Sequence, residues 1–281
     1  MMKILPSHSI FYPLCLVASL LTSTLAYAEE PVAAGNAAEP QLVWCLDHFS
    51  RFHHYEDTPE PYGPSVDLMQ ELAKRAGFKL HFTPRTPTAR CLRMMAEGKV
   101  DLMSNLKYSD ERNSNMFMLP YNKTVPESLF LRYNDSRIID TEAQLQHLTL
   151  VSIRSYLYSP SVMAFLQQHP RQAVTVDSIE AGLEMLLRGR VDALISPTVS
   201  TSDAINTTSS YRHRFRIAGL DLGRNNQSYI HIALSRSSAH ASLEPLLRKH
   251  LADMVTDGTV ARLYDQAIAQ SMLLPPLPLQ P

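Results

Sequence analysis

Met95-Ala96-Glu97-Gly98-Lys99-Val100-Asp101-Leu102-Met103-Ser104 returns 91 residues later as Leu186-Leu187-Arg188-Gly189-Arg190-Val191-Asp192-Ala193-Leu194-Ile195-Ser196. The match loosens by one residue after the aspartate. Both copies nonetheless read as the end of a helix, a glycine that stops it, a basic residue, and a buried strand opening on Val-Asp. A chain that carries this pattern twice builds similar βα units twice. Upstream of the first copy, Leu42 to Leu46 reads as a strand and the unpatterned stretch from Asp47 to Gly63 as a loop. Pro64 opens a helix with Leu68, Met69, Leu72, Ala73 and Ala76 at helical spacing and Gly77 as its stop. Lys79 to Thr83 alternates as a strand, and Thr88 caps a helix carrying Ala89, Leu92, Met95 and Ala96. Val100 to Met103 is a further strand, and Asp110 opens a third helix over a moderately patterned stretch reaching to about residue 120.

Between the copies, Ser128 to Tyr133, Leu148 to Ile153 and Val174 to Val176 read as strands, with helices at 160–168 and 179–188. Beyond the second copy, the hydroxyl-rich stretch Ser200 to Ser210 reads as a loop, followed by two apolar runs, Phe215 to Ala218 and Tyr229 to Leu234. The apolar positions from Leu243 to Ile268 then follow the helical period, broken at Gly258. Strands alternating with helices imply an α/β protein with mixed or mostly parallel sheets flanked by helices.

At the amino end, Lys3 precedes an apolar stretch from Ile10 to Leu25 that ends in Ala26-Tyr27-Ala28, the form of a secretory signal cleaved after Ala28. Export to the periplasm is the expectation. Residues 29–40 read as an unstructured leader and 272–281, with four prolines, as a flexible tail. The 26 basic and 27 acidic residues give no excess positive charge for a nucleic-acid surface. Two cysteines remain after such a cleavage, Cys45 and Cys91; an oxidising compartment allows a disulfide between them, and two buried thiols are the alternative. The chain contains no Gly-x-Ser-x-Gly, His-Glu-x-x-His or phosphate-loop motif. His48, His53, His54 and Asp57 lie close together, but adjacent histidines on an irregular loop lack metal-ligand spacing, so no metal or cofactor is expected.

Several segments together resemble the periplasmic solute-binding proteins of the polar amino-acid type, family 3, the receptors of ABC importers. They are Gly63-Pro64-Ser65-Val66-Asp67-Leu68-Met69 with Leu72-Ala73-Lys74-Arg75-Ala76-Gly77-Phe78, the first repeat copy, Ser109-Asp110-Glu111-Arg112 with Pro120-Tyr121, Gly189-Arg190-Val191-Asp192-Ala193, and Leu251 to Thr259 with Leu263-Tyr264. The resemblance implies a type II binding-protein fold of two α/β lobes joined by two hinge strands. Lobe 1 would take residues 41–129 and 230–271 and lobe 2 residues 130–229, with Ser128 to Tyr133 and the segment before His231 as hinges. It also implies a monomer that catches a small amino acid or related carboxylate and passes it to a membrane permease. An enzyme of the same fold, of lyase or dehydratase type, and a sensing module that docks on a membrane sensor are the alternatives.

In such proteins the arginine of the Ser-x-x-Arg segment grips a ligand carboxylate, which assigns that role to Arg112. By the same resemblance Asn105 and Lys107 present groups to the ligand, and Ser109 stands at a helix start that favours an anion. Lys107 would suit a ligand of extra negative charge, or be solvated. Asp47 follows the first strand, where it would face the cleft and either accept from a ligand ammonium or cap the adjacent loop, and Phe49, Phe52, Tyr55 and Tyr62 offer stacking surface. Two departures stand out. Where amino-acid receptors of this type carry a second-lobe carboxylate for the ligand ammonium, this chain has Pro197 between Ser196 and Thr198, both pocket candidates. Where a tryptophan is common, the chain has Pro87 to Arg93, whose Arg90 and Arg93 share a helix face and either support an anion or are solvated. Cys45 at a strand end and Cys91 near a helix start fall at one sheet edge in this arrangement, which favours the disulfide.

Overall fold

A computed structural model describes residues 38–47, 49, 51–55, 60–124, 126–222 and 228–272. The signal, most of the leader and the tail, with His48 and Asp57, lie outside them. The first half contains β1 (Gln41–Trp44), α1 (Pro64–Ala76), β2 (Lys79–Phe82), α2 (Thr88–Ala96), β3 (Leu102–Lys107), α3 (Asp110–Asn115) and β4 (Met116–Lys123). Then come β5 (Glu127–Arg132), a short 3-10 turn, β6 (Leu150–Ile153), α4 (Pro160–Gln168), β7 (Ala173–Val176), α5 (Ile179–Leu187), β8 (Ala193–Pro197), α6 (Thr198–Thr207) and β9 (Phe215–Ile217). The chain closes with β10 (Tyr229–Ser235), α7 (Glu244–Thr256) and α8 (Thr259–Met272).

These strands form two five-stranded sheets, ordered β2-β1-β3-β10-β4 and β7-β6-β8-β5-β9. In each, three strands run parallel and a fourth and fifth are added antiparallel. The repeated segment delivers the same strand to both, since β3 and β8 each sit at the centre between a parallel and an antiparallel neighbour. Its invariant features do the same work twice. Gly98 and Gly189 hold φ of +67° and +66°, the left-handed turn that ends α2 and α5. A side chain at Gly98 would also strike the Ser237 carbonyl, 2.4 Å from an added Cβ. Asp101 accepts the backbone N–H of Val43 at 2.7 Å, and Asp192 that of Thr149 at 2.8 Å, so each carboxylate ties its loop to the start of the neighbouring parallel strand.

Three readings change. The third helix stops at Asn115, because Met116, Met118, Leu119 and Tyr121 bury in a strand; β4 is a sheet edge, the position at which a strand tolerates a proline such as Pro120. The hydroxyl-rich loop at 200–210 is largely α6: its weak helix formers are held by burial of Ser200, Thr201, Asp203, Ala204 and Ile205, with contacts to α5 and β8 of the second lobe and to α8 of the first, so packing overrides propensity. Finally, β5 lies in the second sheet from Glu127 onward and β10 in the first from Tyr229. The chain therefore crosses between lobes ahead of Glu127 and again just before Tyr229, and Glu127, Ser128 and Leu129 belong to the second sheet. The crossing segments pair with each other: Thr124 N–H donates to the Ser228 carbonyl at 2.8 Å.

Each lobe has its own core. Trp44, Leu68, Met69, Leu72, Ile232, Leu251 and Tyr264 pack in the first, and Phe130, Leu150, Leu183, Leu194 and Phe215 in the second. Cys45 and Cys91 form a disulfide, with Cα atoms 5.6 Å apart, that fastens the end of β1 to α2.

Candidate functional site

The two lobes meet where the parallel strands end, the edge at which open α/β sheets bind ligands. From the first lobe come the segment after β1, the end of β3 and the start of α3; from the second come the start of β5, the loop after β6 and the end of β8. Between them is a pocket enclosing about 70 Å³. Its walls combine Phe49, Phe52, Leu106, Tyr156, Leu157, Tyr158 and Ile230 with four charged residues, Asp47, Lys107, Arg112 and Glu127.

Arg112 is in the first turn of α3 and is only 7% exposed. Ser109 does not reach the pocket lining; its hydroxyl caps that helix by accepting the Arg112 N–H at 3.2 Å. The guanidinium donates through Nη1 to the Lys107 carbonyl at 2.8 Å and through Nη2, across the cleft, to the Ser155 carbonyl at 2.7 Å. Burial lowers its pKa to about 10, opposed by the charges of Glu111 and Asp47, so it stays cationic at neutral pH.

Asp47 faces the same pocket. Its Oδ1 accepts from His53 Nε2 at 3.0 Å and its Oδ2 from the Thr88 hydroxyl. Burial alone raises its pKa, but the hydrogen bond and charge of His53, with the Thr88 hydroxyl, outweigh this and hold the carboxyl below the ordinary value. Lys107 is partly exposed but not free in solvent. Its ammonium pairs with Glu127 of the second lobe, whose other oxygen accepts the Ser159 N–H at 3.0 Å. This neutralises the extra positive charge read from Lys107.

Asn105 lines the pocket, but its amide turns into the first lobe. A β-bulge in the β3–β10 pairing falls here, and Asn105 adopts φ +58°. Its Nδ2 donates to Ser65 Oγ at 2.9 Å and its Oδ1 accepts from the Tyr121 hydroxyl at 2.8 Å, in a buried network closed by Tyr264. Phe49 stacks on Phe52 with centroids 5.2 Å apart and meets Tyr156 of the opposite lobe edge-on at 6.2 Å. Tyr62 stays outside the lining, stacked on His54 at 5.0 Å, and Tyr55 hydrogen-bonds the Thr83 carbonyl.

Arg90 is exposed on α2 and borders a separate surface hollow with Arg93 and Lys99. Ser196 is fully buried and accepts from the Thr201 hydroxyl at 2.7 Å, while Thr198 hydrogen-bonds the Pro126 carbonyl and Ser128. Pro197 between them does line the pocket. Sequence reasoning missed Glu127, Thr88, Tyr156 and Tyr158. The only signal for Glu127 was an acid opening an otherwise apolar strand; the loop after β6 offered two tyrosines but no periodicity. Among the described residues no group of histidine, cysteine, aspartate or glutamate is arranged to hold a metal ion, and no helix is long and apolar enough to cross a membrane.

The family model of the bacterial extracellular solute-binding proteins, family 3, matches residues 42–270. No curated protein matches the chain by sequence. Solved structures share its fold at low identity. A histidine kinase sensor domain with similarity to periplasmic binding proteins superposes with a TM-score of 0.69 at 15% identity, covering 82% of this chain and 95% of its own. An amino acid ABC transporter substrate-binding protein from Streptococcus pneumoniae, bound to L-arginine, gives 0.68 at 18% with the same coverages. An arginine transport periplasmic binding protein from Legionella pneumophila gives 0.66 at 20%, covering 82% of this chain and all of its own.

Proposed function

Because the chain belongs to the bacterial extracellular solute-binding proteins, family 3, we propose that its cleft closes on a small amino acid or closely related carboxylate and presents the closed form to the permease of an ABC importer. One observation carries the reading of the ligand: Arg112, a buried cation, lies in the pocket between the lobes and reaches acceptors in both. A guanidinium so placed can hold a carboxylate through two charge-assisted hydrogen bonds. The Ser155 carbonyl now takes one of its donors, and a ligand carboxylate exchanges for that weaker, neutral acceptor. The aromatic and aliphatic walls suit the rest of an amino acid. A pocket of about 70 Å³ is small for a ligand, so entry requires the lobes to part about the Thr124–Ser228 crossing.

The fold alone does not choose between import and sensing, since a kinase sensor domain and importer receptors both superpose on it. Thermal melting of ligand-stripped mature protein against amino acids, dicarboxylates, small peptides, polyamines and sugars tests the ligand class, because binding to the folded state raises the melting temperature. A rise confined to amino acids and their close carboxylate relatives is expected. A rise with sugars or polyamines alone would sink the proposal.

A further inference from the structure

Lys107 ends β3 in the first lobe and Glu127 opens β5 in the second, so their ion pair spans the cleft. The two partners are not equivalent. The Glu127 side chain is 5% exposed and is pinned by the Ser159 N–H, whereas Lys107 is 24% exposed and sits on a long flexible stem. A buried carboxylate needs a cation beside it; a lysine ammonium with a route to water can leave. Asp47, the other pocket acid, has both oxygens engaged by His53 and Thr88 of its own lobe. On the opposite side of the exchange, Arg112 holds the Ser155 carbonyl. The pocket thus contains a carbonyl on its guanidinium and an ammonium on its carboxylate, both supplied by the protein.

We propose that Lys107 is a built-in competitor for the cationic end of the ligand, and that Glu127 is the carboxylate for which the two compete. This rests on reading the cleft as an amino-acid site. The ligand's carboxylate takes Arg112, its ammonium takes Glu127, and Lys107 swings out to solvent. The pairing selects zwitterions: a dicarboxylate would place its second negative charge against Glu127. Lys107 sets the affinity, and Glu127 sets the preference for an amino group.

The test is calorimetric titration of the mature protein with the twenty standard L-amino acids and with the deaminated analogue of any that binds. Wild type, Lys107→Gln, Glu127→Gln and the double variant are compared, each checked for folding by circular dichroism. Lys107→Gln is expected to bind the amino acid about tenfold more tightly with little change for the deaminated acid. Glu127→Gln is expected to lose the preference for the amino acid. The double variant leaves no charge of the pair buried alone, so it folds even if a single variant does not, and it is expected to bind both compounds alike. An unchanged affinity in Lys107→Gln, or a preference retained without Glu127, overturns the competitor proposal while leaving the amino-acid receptor intact. Failure of every form, wild type included, to bind any amino acid overturns the receptor reading and this proposal with it.

Discussion

Arg112 was legible only through the resemblance of its Ser-x-x-Arg segment to that of the family 3 receptors; the structure builds the segment as the first turn of α3, capped by the Ser109 hydroxyl. Its neighbours were less legible. The resemblance had Asn105 present a group to the ligand, yet a bulge and a φ of +58° turn its amide into a network with Ser65, Tyr121 and Tyr264, residues far away in sequence. Glu127 was hidden for the same reason, because its partner Lys107 belongs to the other lobe. His231 illustrates a further consequence of burial. It is 7% exposed in β10, its Nδ1 is 3.1 Å from the Leu106 carbonyl, and burial, with the charge of Arg112, lowers its pKa below the ordinary 6.5 despite hydrogen bonds to the backbone. The unfolded chain then binds this proton more readily than the folded one, so the histidine costs nothing at high pH and destabilises the fold as pH falls through 6.5 toward the folded value. His231→Gln should therefore flatten part of the fall in melting temperature expected of wild type between pH 7 and pH 5. Identical slopes for the two proteins would contradict this.

At the level of elements, strands and helices with a clear period were readable, and those whose burial is dictated by distant partners were not. α1, with an apolar face and Gly77 at φ +71°, runs close to its expected bounds. α6, rich in threonine and serine with only Val199, Ala204 and Ile205 apolar, has no apolar period to read; packing against α5 and β8 of the second lobe and α8 of the first supplies the burial that makes it a helix. The Cys45–Cys91 disulfide lies at this level too. It encloses a separation of 46 residues and joins β1 to α2, the elements that carry Asp47 and Thr88 into the pocket. Constraining the unfolded chain across such a loop stabilises by about 4 kcal/mol in the loop-entropy account. Reduction, or the paired change Cys45→Ser with Cys91→Ser, is expected to lower the melting temperature by roughly 10 °C and to weaken ligand binding less than it weakens the fold. A melting temperature indifferent to reductant would show that the bridge adds no stability.

Across the whole molecule, the 91-residue repeat foretold two similar sheets. It could not say where the chain passes between them, because β4 read as the continuation of a helix and only a few residues separate it from β5. The closed arrangement is held at several points. Arg51 pairs with the buried Asp203 at 3.4 Å and Arg85 with Glu180 at 3.3 Å at the rim, while Arg112 reaches Ser155 and Lys107 reaches Glu127 inside. Exposed pairs such as Arg85–Glu180 contribute little, so the inner contacts, which a ligand can exchange, carry the coupling between binding and closure. The most direct test is isothermal titration of wild type and Arg112→Ala with the standard L-amino acids. The expected result is saturable binding of at least one amino acid, one molecule per chain, weakened about a hundredfold or more in Arg112→Ala. Binding of equal strength in the two proteins would place the ligand elsewhere and contradict the account.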